Sequence, residues 1–132
     1  MPVDRKKAKA NKPKTWAGVM RRFPLALAYV SKLSQYGAFK YGVKVGEIAE
    51  HVLEDKYEGL SEGVARHLLA ETEPGQHNEE DGGMLHAGNL AWNALARLQV
   101  YLEQNPSEMD WNPAEAWEKV QKREAGGPNP YR

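Results

Sequence analysis

Residues 84–104, MLHAGNLAWNALARLQVYLEQ, decide the fold, because they form the longest predicted helix of the chain. At 100° per residue, four of these residues share one apolar face: Ala91, Leu95, Leu98 and Leu102. Four more widen that face on its two sides: Leu90, Ala94, Tyr101 and Trp92. A helix that is apolar around most of its circumference is typical of the middle of a bundle. The sequence therefore predicts a long central helix here.

A narrow polar stripe interrupts this helix at spacings of three, four and four residues: His86, Asn89, Asn93 and Arg97. Burying such side chains without hydrogen-bond partners costs about 1–3 kcal/mol each. One explanation is a hydrogen-bond ladder between helices, or a solvated edge. The other, which we favour, is a ligand cleft between this helix and its neighbour.

Helices are also predicted on both sides of this segment. The first starts near Pro24 and ends in the stretch 36–42, and further helical pieces cover about 45–56 and 59–73. The last begins at 112–115, Asn-Pro-Ala-Glu, which combines an N-cap, a first-turn proline and an acid at the capping-box position. No alternating β-branched run indicates a strand. Short loops between helices are typical of a bundle, so the predicted fold class is all-α.

The chain has 132 residues and no cysteine, a length typical of one domain. We predict a single domain over 16–125, a basic flexible arm over 1–15 and a flexible tail over 126–132. The lack of cysteine excludes disulfides, thiolate zinc sites and iron–sulfur clusters. No apolar run approaches the roughly 20 residues of a membrane span, and no signal-peptide core follows the basic start. We therefore expect a cytoplasmic protein without a membrane partner.

The charges are unevenly distributed, although the net charge is zero. Residues 1–14 carry six Lys or Arg and one acid, which leaves 18 − 6 = 12 basic and 18 − 1 = 17 acidic residues elsewhere. Residues 44–81 alone contain eleven acids and three basic residues. An acidic body repels phosphates, so we do not expect a nucleic-acid partner.

Two familiar nucleotide motifs are incomplete. Gly37 and Gly42 have the spacing of a phosphate-binding loop, but Val43 stands where its lysine should be. His67 is followed by Leu68, so the His-Asp pair of HD-type phosphohydrolases is missing. These classes are therefore excluded.

Several polar residues have ordinary structural explanations when each is taken alone. Glu62 and Arg66 are spaced as an i,i+4 ion pair on the 59–73 helix. His67 lies near the apolar stripe of that helix, as a core histidine does. Lys40 is an expected surface lysine. Their functional interpretation depends on a pattern that joins them.

Three segments form such a pattern: Tyr36-Gly-Ala-Phe-Lys-Tyr-Gly42, Arg66-His67-Leu-Leu-Ala70 and Asp81-Gly-Gly-x-x-His86-x-x-Asn89-x-x-x-Asn93-Ala-Leu. In this order and spacing they resemble the phage and bacterial dATP/dGTP diphosphohydrolase-like proteins, relatives of the MazG-like all-α nucleotide pyrophosphohydrolases. The similarity is greatest to the MazZ type, which is a (d)GTP pyrophosphohydrolase. Lys12-Pro-Lys14 resembles the Lys-Pro element near the start of the family. The resemblance covers about residues 11–104.

The resemblance implies a MazG-like four-helix core bundle with an extra C-terminal helix, assembled as a homo-oligomer (a dimer or tetramer). It implies Mg²⁺ or Mn²⁺ as cofactor and a purine nucleoside triphosphate as substrate, with dGTP or GTP favoured. The products would be the (d)NMP and pyrophosphate. The protein would then act on the purine nucleotide pool, in the host cytoplasm if a phage encodes it.

The resemblance also implies roles for individual residues. MazG proteins carry Glu-x-x-Glu on one helix and Glu-x-x-Asp on the next; His86 and Asn89 occupy the positions of the second pair, and either Glu47/Glu50 or Glu58/Glu62 supplies the first. The implied metal ligands are Glu47, Glu50, Glu62, Asp81, His86 and Asn89. The implied substrate-binding residues are Lys12, Lys14, Lys40, Arg66 and Asn93. The implied catalytic residues are Glu62 and His67. Trp16 or Trp92 would stack on the purine.

The alternative function is a non-enzymatic helical interaction protein. Its basic N-terminal arm would bind nucleic acid or an acidic partner, with steep salt dependence and without metal. The acidic body makes this the weaker hypothesis.

Overall fold

The structure is a computed structural model, and it describes residues 12–45, 47, 56–72 and 75–125. Four α-helices lie within these residues: α1, Pro24–Tyr41; α2, Lys56–Thr72; α3, His86–Gln104; and α4, Pro113–Ala125. A π-helical turn, Trp16–Met20, precedes α1, and a 3-10 helix, Pro106–Asp110, precedes α4. Two short strands, β1 (His77–Asn78) and β2 (Met84–Leu85), separate α2 from α3. The all-α prediction is confirmed.

The predicted boundaries of α1 and α4 are confirmed, because local signals specify them. Pro24 occupies the first turn of α1, where a missing N–H costs no helical hydrogen bond. Gly42 ends α1 with a φ of 67°, and its N–H bonds to the carbonyl of Ala38. Asn112 caps α4, since its Oδ1 accepts hydrogen bonds from the N–H groups of Ala114 and Glu115 at 3.0 and 3.2 Å. The helix predicted at about 45–56 lies largely outside the described residues, so the four-helix core stays a prediction.

The predicted start of the long helix at residue 84 is wrong. Met84 and Leu85 instead form an antiparallel pair with Asn78 and His77, respectively. The Leu85 N–H also donates to the hydroxyl of Tyr29 on α1 at 2.8 Å. Cross-strand bonding and this long-range hydrogen bond override the helical spacing, and α3 begins only at His86.

The chain divides into two compact units, and α1 to α3 with the β-hairpin belong to the unit Lys14–Gln104. In this unit α3 packs against α2 and, less extensively, against α1. Its small core joins Leu60 of α2 with Ala96 and Val100 of α3, and Trp92 packs against them. The described helices of the other unit are the 3-10 helix and α4. The single-domain prediction over 16–125 stays a prediction.

Part of the predicted apolar face of α3 is exposed, although Ala91 and Leu102 of that face are half-buried. Leu95 and Leu98, expected in the core, are 51% and 53% exposed. The polar stripe lies on the other side of the helix and packs inward, beside the buried Ala96 and Val100. A Cβ added at Gly63 of α2 would lie 3.3 Å from the Asn93 amide, so α2 and α3 meet closely beside this stripe.

None of the described helices combines the length and the apolar character that a membrane span requires.

Candidate functional site

A cavity of about 190 Å³ lies between α1 and α3, beside the loop that joins β1 to β2. Part of its lining carries charge or a phenol: Tyr36 and Lys40 of α1, and Asp81 of the loop. Another part is neutral and polar: Asn89, Trp92 and Asn93 of α3. One concave surface therefore offers both a cation and neutral hydrogen-bonding groups.

Both carboxylate oxygens of Asp81 accept hydrogen bonds from side chains of α1. The Tyr36 hydroxyl donates to Oδ1 at 2.6 Å, and the Lys40 ammonium donates to Oδ2 at 3.0 Å. Tyr36 and Lys40 are one helical turn apart, so both reach the same carboxylate. The hydrogen bond from Tyr36, and then that from Lys40, holds the pKa of Asp81 below its ordinary value. The hydrogen bond to Asp81 in turn raises the pKa of Lys40, so the pair is fully ionised at neutral pH.

Gly82 fixes the loop that carries Asp81 against Tyr36. Its φ is 77°, in the left-handed region that favours glycine. A Cβ added here would lie 2.8 Å from Cε2 of the Tyr36 ring, so no side chain fits without displacement. The glycine thus allows the backbone to approach the ring and places Asp81 over α1.

The two asparagines in the cavity wall differ in how firmly they are held. The Asn93 amide donates to the backbone carbonyl of Asn89 at 2.8 Å. The Asn89 amide donates only to the thioether sulfur of Met84, at 3.0 Å. The Asn89 Oδ1 is buried and has no hydrogen-bond partner. A buried acceptor without a partner is uncommon and is a candidate for contact with a ligand.

The ends of the polar stripe form hydrogen bonds to α2 instead. His86 lies 2.9 Å from His67, Nδ1 to Nδ1, and Arg97 Nε donates to the Ser61 hydroxyl at 2.7 Å. Each explanation of the stripe therefore holds for part of it. His86 and Arg97, at its ends, form a hydrogen-bond ladder to α2, whereas Asn89 lines a cleft.

The short distance between the two histidines excludes the state in which both Nδ1 atoms carry a proton. His86 is only 7% exposed, and the two Nδ1 atoms can share a hydrogen bond only if one of them accepts. Burial lowers the pKa of His67, and the charges of His86 and Arg66 lower it further. The neutral form of His67 is therefore favoured in the folded protein.

The remaining predicted site residues lie away from the cavity or outside the described part of the chain. Glu62 and Arg66 are exposed on α2, and no ion pair joins them. Glu47 accepts a hydrogen bond from the Lys44 N–H at 3.3 Å. Both arm lysines are exposed: Lys12 and Lys14. Glu50 lies outside the described residues.

The structure thus brings together four of the predicted site residues: Lys40, Asp81, Asn89 and Asn93. It also pairs His67 with His86. In residues 12–45, 47, 56–72 and 75–125, no group of three or more Asp, Glu or His side chains lies close enough to hold a metal ion. The metal-ligand set stays a prediction, since Glu50 is not among these residues.

Tyr36 is the site residue whose role sequence reasoning missed. In the sequence it stands out only as the first residue of the motif 36–42, and its hydroxyl has a partner 45 residues away. The i,i+4 spacing of Tyr36 and Lys40 was the available signal. Trp92 is half-buried at the cavity, and its Nε1 donates to the Ser34 hydroxyl at 2.9 Å. Trp16, the other proposed stacking residue, is 65% exposed and does not line the cavity.

Comparison with known proteins agrees with the resemblance drawn from the sequence. The family model for the N-terminal domain of dATP/dGTP diphosphohydrolase matches residues 4–112. No curated protein and no solved structure gives a significant match. The family match spans most of the chain and every described residue that lines the cavity. The chain therefore belongs to the dATP/dGTP diphosphohydrolase family.

Proposed function

We propose that this protein is a metal-dependent pyrophosphohydrolase that converts a purine (d)NTP, with dGTP or GTP favoured, to the (d)NMP and pyrophosphate. The family match over residues 4–112 carries the proposal, because the family's name denotes hydrolysis of a phosphoric anhydride in dATP or dGTP. The cavity supports it, since it offers a cation and a neutral polar wall within the matched segment.

Lys40 is the proposed phosphate-binding residue of the cavity. Its ammonium is fully charged, because the hydrogen bond to Asp81 raises its pKa. An ammonium binds phosphate oxygens as a compact point charge with three donors, of which Asp81 occupies one. Asp81 therefore has a positioning role: it directs the Lys40 side chain toward the loop side of the cavity. Arg66, Lys12 and Lys14 remain proposed phosphate contacts from the family resemblance.

The neutral wall is the proposed site of the purine base. Trp92 offers an indole that is held by its hydrogen bond to Ser34, and aromatic rings prefer offset stacking on flat partners. Asn93 supplies an amide beside it that can read the edge of the base. With the base at this wall, the triphosphate extends toward Lys40.

The metal requirement rests on the family resemblance. A divalent ion polarises the phosphoryl group and lowers the pKa of the attacking water. The described residues do not by themselves form its site, and both oxygens of Asp81 already accept hydrogen bonds. The other proposed oxygen and nitrogen ligands remain Glu47, Glu50, Glu62, His86 and Asn89. Glu62 is also the proposed general base, with His67 as a second catalytic residue.

The oligomeric state and the cellular role of the enzyme are parts of the same proposal. A homo-oligomer, a dimer or tetramer, is supported by the exposed apolar face of α3, where Leu95 and Leu98 lie. The proposed role is in the purine nucleotide pool of a cytoplasm, that of the host if a phage encodes the protein.

Incubation with each of the eight common NTPs and dNTPs, with Mg²⁺ or Mn²⁺ and with chelator, tests the proposal. Monophosphate and pyrophosphate from purines, lost with chelator, are the expected result. Diphosphate and phosphate would contradict the bond assigned. No turnover of any nucleotide would favour the interaction protein, whose binding should disappear when residues 1–14 are removed.

A further inference from the structure

We propose that residues 16–25 of one copy of this chain bind residues 106–118 of a second copy. The first range is named the basic segment and the second the acidic segment. The assignment rests on the proposed function in one respect, since it names an interface of the homo-oligomer proposed there. Charge complementarity between two exposed surfaces that both carry large apolar side chains supports it.

The basic segment lies in a stretch of the chain that has no acids. Residues 5–46 contain eleven Lys or Arg and no Asp or Glu, although the whole chain has 18 of each sign. Every residue from 12 to 26 is exposed. Five of these exposed residues are large and apolar: Trp16, Val19, Met20, Phe23 and Leu25. Such a group of exposed apolar side chains is typical of an interaction surface.

Backbone hydrogen bonds, and not burial, give the basic segment its shape. The Arg21 N–H donates to the Trp16 carbonyl at 2.7 Å, and the Phe23 N–H donates to the Val19 carbonyl at 2.8 Å. The guanidinium carbon of Arg22 lies 5.6 Å from the centre of the Phe23 ring. In the described part of the chain, neither Arg21 nor Arg22 forms an ion pair. The segment therefore presents positive charge and apolar groups side by side.

The acidic segment has the opposite charge and the same apolar character. Residues 98–118 contain five acids and no Lys or Arg. The segment itself comprises the 3-10 helix and the start of α4. Trp111 and Trp117 are 70% and 53% exposed, and Asp110 and Glu118 beside them are exposed as well.

The two segments are chemically matched. A guanidinium binds a carboxylate through parallel hydrogen bonds and stacks on the face of an indole. Arg21 and Arg22 therefore suit a surface that offers both groups, and Trp and Arg contribute most at protein interfaces. Glu58 and Glu62 of α2 are also exposed, but Arg66 lies on the same helix one turn further on. In a two-fold dimer the contact forms twice, once in each direction.

Exchange of charge between copies tests the proposal. Arg21→Glu with Arg22→Glu places acids opposite acids, and Asp110→Lys with Glu118→Lys places bases opposite bases. Each double variant alone should raise the dissociation constant of the homo-oligomer about tenfold or more, because like charges then face each other. An equimolar mixture of the two double variants should recover most of the wild-type affinity. Sedimentation equilibrium measures the masses.

Lys32→Glu with Lys44→Glu is the matched control. It makes the same change of net charge in the same acid-free stretch, at exposed positions outside the basic segment. The control should leave the dissociation constant within about twofold of wild type.

Three results would overturn the interface: reversal variants that associate as wild type does, a mixture that stays dissociated, or a control that weakens association equally. Oligonucleotide binding that depends on Arg21 and Arg22, in a protein whose mass they do not affect, would assign the basic segment to nucleic acid instead.

If a reversal variant does not fold, cross-linking decides, since the chain has no cysteine of its own. Ala17→Cys and Ala114→Cys, both at exposed positions, are mixed as separate chains and treated with a short bismaleimide. A covalent dimer of the two variants is expected, and its absence would refute the contact.

The outcomes separate this interface from the proposed function. A monomeric wild-type protein would overturn the homo-oligomer and this interface together. An oligomer that dissociates with Leu98→Glu but not with the charge reversals would overturn this interface alone. Neither result depends on whether dGTP is hydrolysed.

Discussion

Lys40 is the residue on which the proposed phosphate binding in the cavity depends. Its ammonium is the cation at the cavity wall. The side chain is exposed enough either to leave Asp81 for a phosphate or to bind both groups. Lys40→Met should raise KM for the triphosphate about tenfold or more, since a charge-assisted hydrogen bond contributes roughly 1.5–3 kcal/mol. Its effect on the free energy of unfolding should be small, because exposed ion pairs stabilise little.

Steady-state kinetics and urea unfolding measure both effects. Lys32→Met, an exposed lysine of the same helix, is the matched control and should leave KM unchanged. Equal KM values for Lys40→Met and wild type would remove Lys40 from the substrate site.

Asp81 is proposed as a positioning residue, although the family resemblance implied a metal ligand. Its two oxygens accept from Tyr36 and Lys40, so its removal should act through Lys40. The double variant of Asp81→Asn and Lys40→Met should therefore bind substrate no more weakly than Lys40→Met alone. Mn²⁺ affinity, measured by calorimetry, should be unchanged in Asp81→Asn. A loss of Mn²⁺ binding in Asp81→Asn would show instead that Asp81 is a metal ligand.

At the scale of elements, the β1–β2 loop and α1 are joined through a glycine. Gly82→Ala should lower the free energy of unfolding by more than Gly83→Ala. Both positions have positive φ, 77° and 74°, which costs about 1 kcal/mol or more for alanine. Only at Gly82 would the new Cβ also overlap the Tyr36 ring, since at Gly83 its nearest neighbour is 3.9 Å away. Equal losses in urea unfolding would show that the loop does not pack on Tyr36 in solution.

The contact between α2 and α3 should depend on pH through the histidine pair. Burial holds the pKa of His67 below its unfolded value of about 6.5, so the folded state binds fewer protons. Stability should therefore be fully present above that value and decline as the pH falls through the folded pKa, with a slope of up to about 1.4 kcal/mol per pH unit. The neighbouring charges are those of His86 and Arg66, which lower the pKa, and Asp81, which raises it.

Urea unfolding between about pH 7 and 5, in chelator, measures this slope. His67→Gln should flatten it, since glutamine does not titrate. His77→Gln, at an exposed position on β1, should leave it unchanged. The same slope in wild type and His67→Gln would contradict the account of the pair.

The sequence predicted helix boundaries correctly where residues adjacent in the chain specify them. Pro24 and the cap at Asn112 place two helix starts correctly, because their hydrogen-bond consequences are local. Met84 and Leu85 were misplaced because their partners lie on another strand and on α1. For the same reason the sequence did not predict the hydrogen bond from Tyr36 to Asp81, which closes a loop of 45 residues.

At the scale of the whole molecule, the exposure of Leu95 and Leu98 on α3 is the main departure from expectation. Helical periodicity predicts which residues share a face but not whether that face packs within the chain or against another molecule. In the unit Lys14–Gln104, the face with Leu95 and Leu98 stays exposed and the polar stripe packs inward. Among the described residues of this unit, four apolar residues are buried: Ala38, Leu60, Ala96 and Val100.

The oligomer prediction follows from this exposed face. Leu98→Glu should convert the proposed dimer or tetramer to a monomer, because a buried carboxylate without a partner is strongly unfavourable. Light scattering during size-exclusion chromatography measures the mass, and Gln99→Glu serves as the control of equal charge. A wild-type protein that is already monomeric would refute the prediction.

The most direct test of the central claim is the fate of the γ-phosphate of dGTP. Labelled [γ-³²P]dGTP is incubated with the protein and Mg²⁺, and the products are separated without a phosphatase present. We expect label in pyrophosphate together with unlabelled dGMP, no product when chelator is added, and a higher KM for Lys40→Met. Label in free phosphate with dGDP, or intact dGTP under all conditions, would contradict it.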